Sequence, residues 1–188
     1  MCQHEAVADN DARALAERHL APDLPQRWLH VQGVAAEATR LCAALDVDGA
    51  AVIAAAWLHD LGYAPALLDS GFHPLDAARY LREHGWQEQV CCLVALHSGA
   101  ALQADRIGLG EQLRAEFRDI DGTARDVLWS ADATTGPAGQ RMSLEERVAE
   151  ISERYGPDNL VTQCMTATRP ALQAAIARVA TRLAARAR

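Results

Sequence analysis

Four histidines and two aspartates have the types and spacing for metal chemistry: His30, His59, Asp60, His73, His97 and Asp132. Imidazole and carboxylate without thiolate favour Fe, Mn, Zn, Co or Ni over a structural cysteine–zinc site. His59 follows His30 by 29 residues, His73 follows Asp60 by 13, His97 comes 24 later and Asp132 another 35. Such separations are too wide for a zinc-finger knuckle. They suit the core of a helical bundle, where facing helices each supply a ligand. Six side chains exceed what one catalytic metal usually takes. Two divalent ions sharing a bridging carboxylate is the economical arrangement. Asp60, fixed in place by His59 beside it, is the candidate bridge.

The elements that must position these groups read as helices. The apolar run Ala51–Leu58 ends in His59-Asp60, with Asp48 as its N-cap and Gly62 as its stop. His30 belongs to a helix over 26–45, where Val31, Val34, Ala38, Leu41 and Leu45 recur at helical spacing. Taken alone, His30 fits a hydrogen-bonded core histidine as well as a ligand. The stretch from Tyr63 to Gly71 is a loop long enough to cover a site. His73 stands at the N-cap of the next helix, with Pro74 in its first turn, Leu75, Ala78 and Leu81 inward and Gly85 at its end. A helix over 87–97 puts His97 on the stripe of Val90, Leu93 and Val94. An imidazole there is costly unless hydrogen-bonded or metal-bound.

Further along, Leu113, Phe117 and Ile120 mark a helix after the turn at Gly108–Gly110. Thr123 and Asp126 resemble a capping box opening a helix that ends at Asp132, one turn past Leu128. Ser143 and Glu146 form a fuller box for the helix that closes at Tyr155. A last helix runs from Pro170, and its Arg178, Arg182, Arg186 and Arg188 read as a solvated face rather than a membrane surface. A polar helix over 10–20 leads the chain. His4 and His19 read as surface histidines and His84 as a charge partner at a helix end.

Composition agrees with this organisation. A chain of 188 residues, half of them apolar and rich in Ala and Leu, predicts one all-α domain over 1–188 with its core about 26–155. All 18 basic residues are arginine, so no Schiff-base or ammonium chemistry is available. A net charge of -7 argues against non-specific nucleic-acid binding but allows a small anionic substrate held by metal ions. Five cysteines without a C-x-x-C, and an N-terminus lacking signal-peptide features, predict reduced thiols and a cytoplasmic location. The longest apolar run, Ala50 to Leu58, is too short to span a bilayer. Oligomeric state is not legible.

The pattern His30 … His59-Asp60 … Asp132 resembles the HD superfamily of metal-dependent phosphohydrolases. Arg27-x-x-His30, His59-Asp-Leu-Gly62 and Trp129-Ser-Ala-Asp132 carry the likeness. His73 and His97 resemble the added pair of the binuclear branch. The phrases His73-Pro-Leu-Asp-Ala-Ala and Leu96-His97-Ser98 are similar to bacterial symmetrical dinucleoside-tetraphosphate hydrolases, although Ser98-Gly99-Ala100 after His97 departs from them. The resemblance implies an all-helical HD-domain bundle. In it His30, His59, Asp60 and Asp132 hold one ion, and Asp60, His73 and His97 hold the other, with Fe or Mn foremost.

It also implies hydrolysis of a small phosphorylated, nucleotide-like substrate by water activated between the ions. Asp60 is the catalytic carboxylate, Arg27 the best phosphate contact, and Arg79 and Arg106 lesser ones. No Gly-rich phosphate loop is present. A second reading is a mixed-valence di-iron oxygenase on the same scaffold, since some members use this ligand set to oxidise a C–H bond. A third, a binding or signalling module with a degenerate site, is disfavoured because no expected ligand position has lost its chemical type.

Overall fold

The computed structural model describes the backbone of residues 2–187 and the side chains from Asp11 onward. His4, Cys2 and Arg188 lie outside the described side chains. Ten α-helices and two short 3-10 turns together account for 73% of the structure, and there is no strand among the described residues. They are α1 (Cys2–Leu20), α2 (Pro25–Leu45), α3 (Ala50–Leu58), α4 (His73–Glu83), α5 (Glu88–Ala95), α6 (Ala100–Arg106), α7 (Gly110–Glu116), α8 (Thr123–Ala133), α9 (Leu144–Tyr155) and α10 (Leu160–Arg186).

α3 lies at the centre because nothing on it asks for water. Its sequence, AAVIAAAWL, is apolar on every side, and a helix of that kind must be surrounded. It packs against α1, α2, α5 and α8. The small alanines Ala54, Ala55 and Ala56, at most 2% exposed, let those neighbours come close. α2 contributes Val31, Val34, Ala38, Leu41 and Leu45, all buried as their spacing predicts. No described helix is long and apolar enough to cross a membrane.

Several boundaries differ from the sequence expectation, each for a local reason. α3 stops at Leu58, and a short 3-10 turn over Leu61–Tyr63 follows, so His59 and Asp60 stand in the bend between them. Gly62 is therefore not a left-handed stop. A Cβ there would lie 2.1 Å from the carbonyl oxygen of His73, so glycine is what lets α4 dock against this turn. His73 is the first residue of α4, and Phe72 holds the N-cap position. His97 lies two residues past the end of α5, because Ser98 (φ 43°) and Gly99 (φ 131°) turn the chain there. The short helix α6 then begins, which apolar spacing did not reveal.

Gly49, not Asp48, is the N-cap of α3, although Asp48 one residue earlier accepts a hydrogen bond from the Ala50 amide; the Ser143–Glu146 capping box is complete. The Thr123–Asp126 box is not formed: Gly122 is the N-cap, and the Asp126 carboxylate is engaged by Arg178 and Arg182 instead. The last helix begins at Leu160, capped by Asn159, and carries Pro170 inside it. Its packing against α8 and α9 outweighs the hydrogen bond that proline forfeits. Its arginines are not simply solvated, since Arg186 also pairs with Asp46.

Candidate metal centre

The six side chains singled out by spacing meet at one place, where the C-terminal end of α3 faces α2, α4, α8 and the turn after α5. Nε2 of His30 is 3.1 Å from Oδ1 of Asp132, and Nε2 of His59 is 3.7 Å from that same oxygen. Oδ1 of Asp60 is 3.7 Å from Nε2 of His59 and 3.5 Å from Nε2 of His73. Nε2 of His73 and Nε2 of His97 are 3.4 Å apart. Ligand atoms of two trios, His30–His59–Asp60 and Asp60–His73–His97, lie within 4.8 Å of one another, and Asp60 belongs to both.

Backbone carbonyls decide which ring nitrogens carry protons. His59 donates Nδ1–H to Ala56 at 2.9 Å, His97 to Val94 at 2.7 Å and His30 to Gly136 at 3.2 Å. A carbonyl oxygen can only accept, so in each neutral ring the proton sits on Nδ1 and the Nε2 lone pair points into the site. That leaves an acceptor facing an acceptor at His30–Asp132, imidazole nitrogen against carboxylate oxygen, while the Nε2 lone pair of His97 faces Nε2 of His73 at 3.4 Å. Nε2 of His59 is buried with no hydrogen-bond partner among the described residues. A buried polar atom in that state is costly. A cation among these lone pairs removes the cost, so the donor set fits a metal, and the carbonyl partners orient the rings as metal-bound histidines require.

Electrostatics agree. Burial pushes the Asp60 carboxyl up, but Arg27 and the imidazoles of His59, His30 and His73 outweigh it and hold the group well below the usual carboxylate range. At Asp132 burial likewise loses, here to the His30, His59 and His97 rings around it. Burial drives His73 and His97 below the ordinary imidazole value. Ionised carboxylates beside neutral imidazoles are the protonation states a divalent cation takes.

A supporting layer surrounds these groups. The hydroxyl of Ser98 donates to Oδ2 of Asp132, leaving Oδ1 toward the histidines. Asp76, 3% exposed, accepts from the amides of Asp69, Ser70 and Gly71 and ties down the loop that leads into His73. The His73 ring stacks on Tyr63 at 3.9 Å, and the Arg27 guanidinium lies over the other part of that stack, 3.7 Å from the Tyr63 centroid. Burial, opposed by Arg27, pushes the Tyr63 phenol up to about 12. Arg27 itself donates to Asp60 at 2.7 Å and lies 3.4 Å from the Tyr155 hydroxyl.

A cavity of about 110 Å³ opens over the centre, walled by Ile151 of α9 and by Val161, Cys164, Met165 and Thr168 of α10. A cleft of about 550 Å³ adjoins it, and the two share Arg27, His30, Arg147, Arg154 and Tyr155. Arg79 and Arg106 line neither. Arg79 is taken by Glu116 and Asp69, and Arg106 by Gln163. Thr134 and Thr135 bond backward to the carbonyls of Ser130 and Ala131. The spacing of apolar residues gave no hint of Arg147, Arg154, Ser98 or Asp76, since none belongs to a ligand pattern. The capping box at Ser143 marks the helix that carries both arginines, and Asp76 and Ser98 stand in the phrases His73-Pro-Leu-Asp-Ala-Ala and Leu96-His97-Ser98 that carry the resemblance.

Neither a curated protein nor a solved structure matches the chain. The HD domain family does match, over residues 27–158, which takes in α2 through α9 and all six converging side chains. That family consists generally of metal-dependent hydrolases whose histidines and aspartates bind divalent ions. With well over half its length covered, and with the His-Asp pair seated in a pocket of bare imidazole nitrogens, the chain belongs to the HD domain family.

Proposed function

We propose that this protein is a phosphohydrolase that cleaves a phosphoester or phosphoanhydride of a small, nucleotide-like phosphorylated molecule. The observation that carries the reading is the one carboxylate, Asp60, common to two trios of buried metal-ligating groups. His30, His59, Asp60 and Asp132 would hold one divalent ion, and Asp60, His73 and His97 a second, with Fe or Mn the ions of choice. Such ions supply Lewis acidity, which acidifies a water molecule and offsets charge on a phosphoryl group.

The chain's own residues do the rest. Asp60 stays ionised, so it orients an attacking water through a hydrogen bond rather than storing its proton. Arg27, anchored at one end by Asp60, presents its remaining N–H groups to the shared wall of cavity and cleft. There it meets a phosphoryl oxygen as a charged hydrogen-bond donor. The apolar wall from α9 and α10 keeps bulk water from the reacting group. A phosphate ester suits this pocket because the Arg27 guanidinium, and the cations these ligands would hold, would face one anionic group.

The test is metal-stripped protein reloaded with Mn(II) or Fe(II) and offered a panel of phosphomonoesters, phosphodiesters and nucleotides, with phosphate release and oxygen uptake followed together. The expected result is metal-dependent hydrolysis abolished by chelator. Oxygen uptake on an organic substrate, with no hydrolysis anywhere in the panel, overturns the reading in favour of an oxygenase.

A further inference from the structure

α9 brings a second charged feature to the same cleft. Arg147, Ile151 and Arg154 recur at helical spacing, and all three line the cavity wall. The two arginines share a single counter-ion: NH1 of Arg147 bonds Glu150 at 2.5 Å, and Nε of Arg154 bonds it at 2.9 Å. Arg147 is only 7% exposed, yet its Nε has no hydrogen-bond partner among the described residues. The guanidinium of Arg154 also lies over the Tyr155 ring at 4.9 Å. The charged lining of the larger cleft is Asp23 at its exposed rim against Arg27, Arg147 and Arg154. Arg27 is balanced by Asp60 and the other two share Glu150, so the inner wall carries a surplus of one positive charge with only the exposed Asp23 at the rim against it. This surplus sits on a chain whose net charge is -7.

Two guanidiniums on a cleft wall with one carboxylate between them are left short of a counter-charge unless a further anion binds there. At about 550 Å³ the cleft is in the range that holds a small-molecule ligand, and larger than one phosphate needs. We infer that Arg147 and Arg154 form a second anion subsite, which holds a phosphate of the substrate other than the one cleaved. This rests on the phosphohydrolase reading and sharpens it: the substrate is a phosphate ester or anhydride with at least two phosphate groups set apart. One is placed among His30, His59, Asp60, His73, His97 and Asp132, and the other against α9. Ile151 and Met165, which line the smaller cavity together with Arg147 and Arg154, suit an apolar portion of the substrate.

Two measurements test the subsite. In the first, metal-stripped protein is titrated with inorganic phosphate by calorimetry. The wild type binds, while R154Q and the R147Q/R154Q pair bind at least about tenfold more weakly, the loss typical of a charged hydrogen bond. R154K recovers part of the affinity. Melting curves of each variant show whether it is folded, and Arg154, less buried than Arg147, supplies the variant that survives if R147Q does not. In the second, Mn(II)-loaded protein is offered a sugar bisphosphate and a simple aryl phosphate. The preference, as the ratio of kcat/KM values, falls at least about tenfold in R154Q. Phosphate binding unchanged in R154Q, together with an unchanged ratio, overturns the subsite while leaving hydrolysis standing. Phosphate binding lost in R154Q in a protein that hydrolyses nothing keeps the subsite and removes the hydrolase.

Discussion

Arg27 donates NH1 to Oδ2 of Asp60 at 2.7 Å, so the carboxylate shared by both histidine trios has one oxygen on a guanidinium and the other, Oδ1, toward His59 and His73. The pair is largely buried, with side-chain exposures of 23% and 4%. Removing one partner of such a pair strands the other charge and costs about 3 kcal/mol. Asp60→Asn is therefore expected to lower stability by about that amount and to cut the bound metal below about a tenth of wild type. Arg27→Gln is expected to keep its metal and to lose about 10- to 100-fold in kcat/KM instead. Elemental analysis beside denaturant melts separates the two effects. Full metal content in Asp60→Asn removes that residue from the centre.

His73 and His97 give a pH signature whose sign follows from burial. Both are held below the ordinary value of 6.5, desolvation being the largest cause. Between the folded value and 6.5 the unfolded chain binds more protons than the folded one. Stability of the metal-stripped protein thus rises with pH through that window and levels off above about 6.5. The same burial keeps the rings neutral for metal. From pH 7.5 to 6, these two rings are expected to cost Mn(II) affinity less than the roughly 14-fold that two ordinary imidazoles would cost. Calorimetric titrations at several pH values measure this, and a loss of about 14-fold or more would mean that burial does not keep these rings neutral.

Gly33 concerns His30 at a distance. A Cβ at residue 33 would lie 2.5 Å from the Gly139 carbonyl oxygen and 2.6 Å from its Cα. The turn holding Gly139 also carries Gly136, whose carbonyl takes the Nδ1–H of His30. Gly33→Ala must push that turn away from α2 and loosen the acceptor. The cost of such overpacking is about 1–3 kcal/mol. The loss of an orienting partner weakens metal binding about tenfold. Thermal melts and metal titration check both, and unchanged metal affinity would show that His30 is oriented by other means.

Periodicity found what periodicity can carry. The stripe of Val31, Val34, Ala38, Leu41 and Leu45 is buried as its spacing requires, and the all-apolar α3 is central for the same reason. The types and spacing of His30, His59, Asp60, His73, His97 and Asp132 were enough to draw them together, because polar groups at helix ends and on apolar faces need one another. The turns were harder to see. Ser98 takes a positive φ in a sequence whose next residue, Gly99, gives the more obvious signal, so the end of α5 was set two residues late. Pro170 looked like a helix start because local backbone rules say so, and only tertiary packing of α10 overrides them. Asp126 looked like a cap because its long-range partners, Arg178 and Arg182, are more than fifty residues away.

Asp126 supplies the remaining prediction. It is 1% exposed and accepts from Nε and NH2 of Arg178 at 2.9 and 2.6 Å and from NH1 of Arg182 at 2.8 Å. These bonds clamp α10 onto α8, the helix that also carries Asp132 in its last turn, and α10 in turn lines the cavity over the centre. Burial pushes the Asp126 carboxyl up, but the two guanidiniums win and hold it below the ordinary carboxylate value of 3.8. A depressed folded value means the stabilisation is complete above the unfolded value and disappears as pH falls through the folded one. Asp126→Asn is expected to cost about 1.5–3 kcal/mol at pH 7, the range for a hydrogen bond to a charged group. The gap from wild type should narrow steadily below about pH 4. Urea melts of the two proteins across pH 7 to 3 provide the comparison. An equal gap at both ends would mean that Asp126 acts by packing alone and that its charge does not hold α10 in place.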